Sequence, residues 1–391
     1  MAQIIVNGNV ITPMKIIDNG IVAFEGGKIT YVGEKKGYNI SENDTVYDAG
    51  GNYVSPGFID IHTHGAGGYD FMDATVEAFL KASETHMKHG TTSIVPTTIT
   101  STIKDLYRTL EIFTEAKNKN MGPELIGLHL EGPYFAEEQR GAQDLKYIKN
   151  PERKEYLEVL DSSRDIVRWT IAPEKSGALE MGLELRKRGI IPCIGHTNAI
   201  YEDIVKAYEH GYSLMTHFYS AMSTVKRIKG VRFAGAVEAG YLIDEMMVEV
   251  IADGMHLPKS LLQLIYKIKG SDKICLVTDS MRAAGMPEGE YVLGNTETGQ
   301  KVIVEDGVAK LKDRTAFAGS VATADRLIRT MRDIAEVPLV ECVKMLTLNP
   351  AKVMEISSRK GSLVRGKDAD IIIFDNFISI KNVWVMGERK I

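Results

Sequence analysis

The sequence predicts an α/β protein: a (β/α)8 TIM-type barrel with a small β-sandwich built from both chain ends. Two observations lead there. Eight apolar, β-branched runs recur through the middle of the chain, and most are followed by a segment with helical spacing. Both ends are instead short apolar runs broken by turn pairs, and neither end alone is long enough to bury a core. A third observation is negative. No GxGxxG opens the first βα unit, which argues against a dinucleotide-binding sheet.

Taken in order, residues 1–54 read as all-β. IIVNGNVIT suggests a turn at Asn7-Gly8, and IVAFEGGKITYVG a turn at Gly26-Gly27. The barrel runs are 58–62 (FIDIH), 92–97 (TSIVPT), 125–130 (LIGLHL) and 167–171 (VRWTI), then 191–195 (IPCIG), 213–217 (SLMTH), 247–252 (MVEVIA) and 273–278 (KICLVT). VEAFLKASETHMKHG is the first helix, stopped by Gly90. Residues 287–315 break the rhythm and read as a β-insertion after the eighth run. GSLVRGKDADIIIFD and KNVWVMGERK return to strand texture. The expected organisation is a small β-domain from 1–54 and 355–391, and a catalytic barrel over 55–354.

Composition limits the partners. The chain has 391 residues, 44% hydrophobic and 25% charged, with a net charge of −5. That supports a large core and argues against a general nucleic-acid binder. No basic leader and no apolar run of about 18 residues is present, so a soluble, cytoplasmic protein with no membrane partner is expected. Cys193, Cys275 and Cys342 are widely spaced without a CxxC, and read as reduced, buried thiols.

A barrel gathers its chemistry at the C-terminal ends of its strands. The first run ends in His62 and His64, which alternate onto one face of a strand while Ile59, Ile61 and Thr63 take the other. The third ends in Glu131, the fifth in His196, the sixth in His217 and the eighth in Asp279. Each alone has a plain structural explanation, such as a cap, a core histidine or a turn former. All six at strand ends point to a metal. Nitrogen and oxygen donors without thiolate suit Zn, Fe, Mn or Co. His86, His89 and His210 fall in helical segments and are expected to be solvated. His129 shares the inward face of Glu131 and is expected to support the ligands.

The blocks PGFIDIHTHG, GLHLEGPY with RGAQ nearby, IGHTNA, THFYSAMS, IADGMH, LVTDSMRAAG and FAGS occur in this order, before LTLNPAKVM and RKGSLVRGKDADIIIFD. Together they resemble the N-acetylglucosamine-6-phosphate deacetylases of the amidohydrolase superfamily, over essentially the whole chain. The resemblance implies a metal-bearing barrel that removes the acetyl group from the sugar phosphate. It implies Glu131, His196 and His217 as ligands of the main metal, and His62 and His64 as a second position, so one or two divalent ions, with Zn first. It implies Asp279 as the catalytic carboxylate. Substrate contacts would come from Ala142, Gln143, Ser220, Ala221, Arg227, Asp253, Gly254, Met255, His256, Phe317, Ala318 and Gly319. A homodimer is implied in the same way. The sequence departs from many members at Gln143, where histidine is common, and at Ser220, where asparagine is common. The loop carrying Arg227 differs in length.

The residues also argue the chemistry directly. An amide is a poor electrophile and water a poor nucleophile, so a metal and a carboxylate base are both needed. STVKRIKGVR, just beyond His217, offers Lys226, Arg227, Lys229 and Arg232 for a phosphate. Three alternatives are a deacetylase of N-acetylgalactosamine 6-phosphate, another amidohydrolase acting on a small N-acyl substrate, and a barrel that has lost catalysis. Glu131 stands where many other amidohydrolases use a carboxylated lysine.

Overall fold

The computed structural model describes residues 1–391. Strands from both chain ends form one eight-stranded sheet. Ile371–Phe374 pairs antiparallel with Tyr53–Pro56, which lies parallel to Gln3–Ile11. Phe24 and Trp384 lie on strands four spacings apart, about 19 Å on a flat sheet. Their ring centroids are only 6.2 Å apart. The sheet therefore curls over its own apolar face, and a single bent sheet does the work expected of a two-layer sandwich. Gly26 and Gly27 form the expected turn, both with positive φ. Asn7-Gly8 does not. Gln3–Ile11 is one strand with a register shift there, and a side chain at Gly8 would sit 2.4 Å from Val54. This glycine makes room for a neighbouring strand instead of turning the chain.

The middle of the chain holds parallel strands in two sheets. Phe58–Thr63, Thr91–Pro96 and Glu124–Leu125 form one. Leu128–Glu131, Ile166–Ile171, Ile191–Ile194, Leu214–Met215, Met247–Val250 and Ile274–Leu276 form the other, neighbours in chain order. At one junction Thr98 N donates to His129 O at 3.0 Å. At the far edges Asp279 N donates to His62 O at 2.8 Å, joining the eighth run to the first. The run at 125–130 is split by Gly127, where a Cβ would meet Val167 at 2.3 Å. The fifth, sixth and eighth strands stop short of the predicted runs, at Ile194, Met215 and Leu276, shortly before a residue of positive φ. His196, His217 and Asp279 all have positive φ, at 50°, 33° and 46°. Such backbone costs on the order of 1–3 kcal/mol per residue and clusters at functional sites.

Helix Val76–Lys88 is capped by Thr75, whose side chain accepts from Ala78 N at 3.1 Å. Its buried stripe is Phe79, Ala82, Ser83 and His86. His86 is therefore fully buried, not solvated as expected, with Nε2 3.0 Å from Thr63 Oγ1. His89 pairs with Asp325 at 3.1 Å. The insertion is a three-stranded antiparallel sheet, Gly289–Leu293, Gln300–Glu305 and Val308–Leu311. All three cysteines are free and buried. No helix is long and apolar enough to cross a membrane.

Candidate metal and catalytic centre

The strand ends bring His62, His64, Glu131, His196, His217 and Asp279 together. Glu131 is the hub. Its oxygens lie 3.5 Å from His62 Nε2, 3.4 Å from His64 Nε2, 3.4 Å from His196 Nε2 and 3.0 Å from His217 Nε2. Two triads, His62–His64–Glu131 and Glu131–His196–His217, each hold their donor atoms within 4.8 Å. Asp279 Oδ1 is 3.1 Å from His64 Nε2 and 3.5 Å from His62 Nε2. All six residues are buried.

Hydrogen bonds behind the rings set their orientation. His196 Nδ1 lies 2.8 Å from Gln139 O, and His217 Nδ1 3.1 Å from Ser220 O. A carbonyl only accepts, so each Nδ1 carries a proton, and in the neutral ring the lone pair falls on Nε2. The two Nε2 atoms face each other at 3.2 Å. His62 Nδ1 meets Glu249 Oε2 at 3.0 Å, and its Nε2 is buried without a hydrogen-bond partner. Converging lone pairs beside buried carboxylates fit a divalent cation. His129 stands behind His62, its ring centroid 4.6 Å away. Thr97 and Thr170 hold its two nitrogens at 3.2 Å and 2.7 Å.

The electrostatics agree. Burial alone would raise the Glu131 carboxyl, but the imidazoles of His62, His196 and His217 hold it well below the usual range. Asp279 is opposed by burial in the same way and lowered by His62 and His64. Burial disfavours the charged forms of His64 and His217. The bonds and charges of Asp279 and Glu131 outweigh it and push both up to about 9. An imidazole binds metal only in its neutral form, so metal has to displace these protons. Both folded values lie above the ordinary 6.5, so the protons stay until pH passes about 9. Metal affinity should therefore fall as pH drops below about 9, by up to about tenfold per unit for each proton displaced. In the metal-free protein the same protons add stability below pH 6.5 that is lost as pH rises through about 9. Calorimetric metal titrations at pH 7, 8 and 9 check this, and a flat affinity profile would contradict it.

A cavity of about 240 Å³ opens onto the cluster. Of the predicted substrate contacts, Ala142, Gln143, Ser220, Ala221, His256, Phe317 and Gly319 line it. So do Ile99, Gly141, Leu293 and Ala316, which the sequence reading missed. Asp253 acts through His256, meeting its Nδ1 at 2.8 Å. Gly254, Met255 and Ala318 flank the lining residues without joining them. Gln143 Oε1 accepts from Thr100 N at 2.9 Å and Thr100 Oγ1 at 2.8 Å, so its amide is fixed with Nε2 donating to Glu131 at 3.0 Å. Arg227 is not brought to the cavity lining. It sits on an exposed antiparallel hairpin, Lys226–Ile228 with Val231–Phe233. Lys226 Nζ is bonded to Asn198, two residues beyond His196. Sequence reasoning also missed Glu249 and Arg168, both fully buried. Their signal was a charge inside an apolar strand run.

Residues 53–390 match the model of the Amidohydrolase family. An N-acetylglucosamine-6-phosphate deacetylase of Lysinibacillus sphaericus is 35% identical over 357 residues, 88% of this chain and 87% of that one. A crystal structure of N-acetylglucosamine-6-phosphate deacetylase from Pasteurella multocida superposes with a TM-score of 0.92 at 30% identity, covering 100% of both chains. A mutant of the Mycobacterium smegmatis enzyme, in complex with N-acetyl-D-glucosamine-6-phosphate, does so with a TM-score of 0.90 at 28% identity, covering 99% of each. With this cluster, this cavity and matches of that extent, the chain belongs to the N-acetylglucosamine-6-phosphate deacetylases of the amidohydrolase family.

Proposed function

We propose that the chain hydrolyses the acetamide of N-acetyl-D-glucosamine 6-phosphate, giving D-glucosamine 6-phosphate and acetate. The observation that carries this is Glu131 shared between two histidine pairs, with Asp279 beside them on the floor of a cavity. Glu131, His196 and His217 would hold the main metal, and His62 and His64 a second, with Zn favoured over Fe, Mn or Co. When bound, such an ion would supply a water of lowered pKa, about 7, and polarisation of the acyl carbonyl. Asp279 is held ionised, so it can take a proton from the attacking water and then pass it to the departing amine. Gln143 spends one amide N–H on Glu131 and keeps the second for the developing oxyanion. Asp253 orients His256, whose Nε2 is free of protein partners and serves as a polar contact to the sugar phosphate.

The remaining organisation follows as part of the same reading. The strand order and the Asp279–His62 hydrogen bond support a closed (β/α)8 barrel over 55–354. The curled sheet supports a separate β-domain from 1–54 and 355–391. Arg227 is assigned to the phosphate from its hairpin. A cytoplasmic homodimer completes the reading, testable by sedimentation.

Acetate release from a panel of N-acetylated sugars tests the substrate. The 6-phosphate of N-acetylglucosamine should exceed the unphosphorylated sugar by about 10- to 10³-fold in kcat/KM, from one or two charge-assisted bonds of about 1.5–3 kcal/mol each. Arg227→Ala should remove part of that preference. Preference for the unphosphorylated sugar, or for the galactosamine epimer, would displace the substrate and leave the hydrolase reading standing.

A further inference from the structure

Beneath the cluster lies a pair of charges that the reaction above does not use. Glu249 and Arg168 are both fully buried. Glu249 Oε1 pairs with Arg168 Nη1, and Oε2 meets His62 Nδ1 at 3.0 Å. Arg168 Nη1 also donates to Ile61 O at 2.9 Å, the carbonyl just before His62. Its Nη2 donates to Thr216 Oγ1 at 3.4 Å, just before His217. Two charges withdrawn from water are a poor way to gain stability, because apolar side chains of similar volume often serve as well or better. Their presence asks for a role.

The role is visible in the ring they hold. A neutral imidazole has one N–H, and a carboxylate at Nδ1 places it there. The lone pair then falls on Nε2. In His62 that atom is buried, has no hydrogen-bond partner, and lies 3.5 Å from both Glu131 Oε1 and Asp279 Oδ1. The other half of the cluster is built differently. His196 and His217 take their orientation from the backbone carbonyls of Gln139 and Ser220. Glu249 touches that half only through His217 N, at 3.3 Å. His64 has no such carboxylate behind it, and its Nδ1 is buried without a partner.

We propose that Glu249, held by Arg168, is a positioning residue that builds the His62–His64 metal position, and so makes this chain a holder of two metals instead of one. The inference rests on the metal assignment above and adds to it the device that sets stoichiometry. Arg168 neutralises Glu249 and fixes where its carboxylate points. It also ties the carbonyl before His62, so ring and backbone are held by the same pair.

Metal content tests this without reference to turnover. Metal-free protein is titrated with Zn, and bound metal is counted by mass spectrometry. Wild type should hold two. Glu249→Gln should weaken the His62–His64 position by about 10- to 100-fold, as loss of a partner behind a ligand does elsewhere, with the Glu131–His196–His217 position changed far less. Since Glu249→Gln leaves Arg168 buried and unpaired, the double variant Arg168→Met with Glu249→Leu is measured beside it. It removes both charges at similar volume and should melt near wild type yet hold one metal. A double variant that folds and binds two metals with wild-type affinity overturns the proposal. So does a wild type that holds a single metal which Glu249→Gln leaves undisturbed. A wild type that binds no metal removes the hydrolase reading as well, which separates the two failures.

Discussion

Asp279→Asn should lower kcat by at least about 10²-fold, and by as much as about 10⁴-fold, while the protein still folds and the Glu131–His196–His217 position still takes metal. The substitution isolates the proton acceptor because the backbone there is secured independently of the side chain. Asp279 N donates to His62 O, and Asp279 O accepts from Ser320 N, both at 2.8 Å. The residue sits at φ 46°, a conformation that asparagine tolerates better than most replacements. Asn also keeps the volume of the side chain and one oxygen for His64. What it loses is the charge that accepts a proton from water and the acid that returns it to the amine. An Asp279→Ala variant would mix that loss with backbone strain, so Asn is the cleaner comparison. Steady-state rates on N-acetylglucosamine 6-phosphate, with a thermal melt beside them, check it. Turnover near wild type, with the fold intact, would move the base to another residue.

The six residues of the cluster were legible because strand parity and the βα rhythm of the chain leave little freedom. Once His62 and His64 are two apart on a strand, they share a face. Once the runs alternate with helices, their C-terminal ends meet. The two β-rich chain ends were legible for a related reason: neither could bury its apolar residues alone. The failures are equally physical. Asn7-Gly8 carries a turn signal, yet the glycine is there because Val54 leaves no space for a side chain. His86 was read as solvated from its helical setting alone. Its spacing from Phe79, Ala82 and Ser83 is that of one buried helix face, so the information was present. Glu249 and Arg168 stood in plain view as charges inside apolar strands, but what they face depends on packing between strands distant in sequence. Arg227 shows the limit of order along the chain. It follows His217 closely in sequence, and its hairpin still projects outside the cavity lining.

Glu131→Gln should strip metal from both positions and lower activity at least as far as Asp279→Asn does. The reason is that Glu131 is the one residue common to both triads. Its two oxygens divide the work: Oε1 faces His62, His196 and His217, and Oε2 faces His64 and Gln143. An amide in its place puts an N–H where one of those oxygens was. If that N–H faces Gln143, two amide donors oppose each other across about 3 Å. If it faces the histidines, it consumes the lone pairs that would hold a metal. Neither orientation restores the negative charge at the centre of the cluster. Removing one ligand of a pair such as His196 should cost only the position that ligand serves, so the contrast between His196→Ala and Glu131→Gln is informative. Stability provides a readout free of turnover. Zn at about a hundred times its Kd should stabilise wild type by about 2.7 kcal/mol per site. The same concentration should leave Glu131→Gln unmoved, and His196→Ala should keep the share that comes from His62 and His64. If Glu131→Gln still binds metal and still gains stability from it, the two positions do not share this carboxylate, and the bridging role assigned to it is wrong.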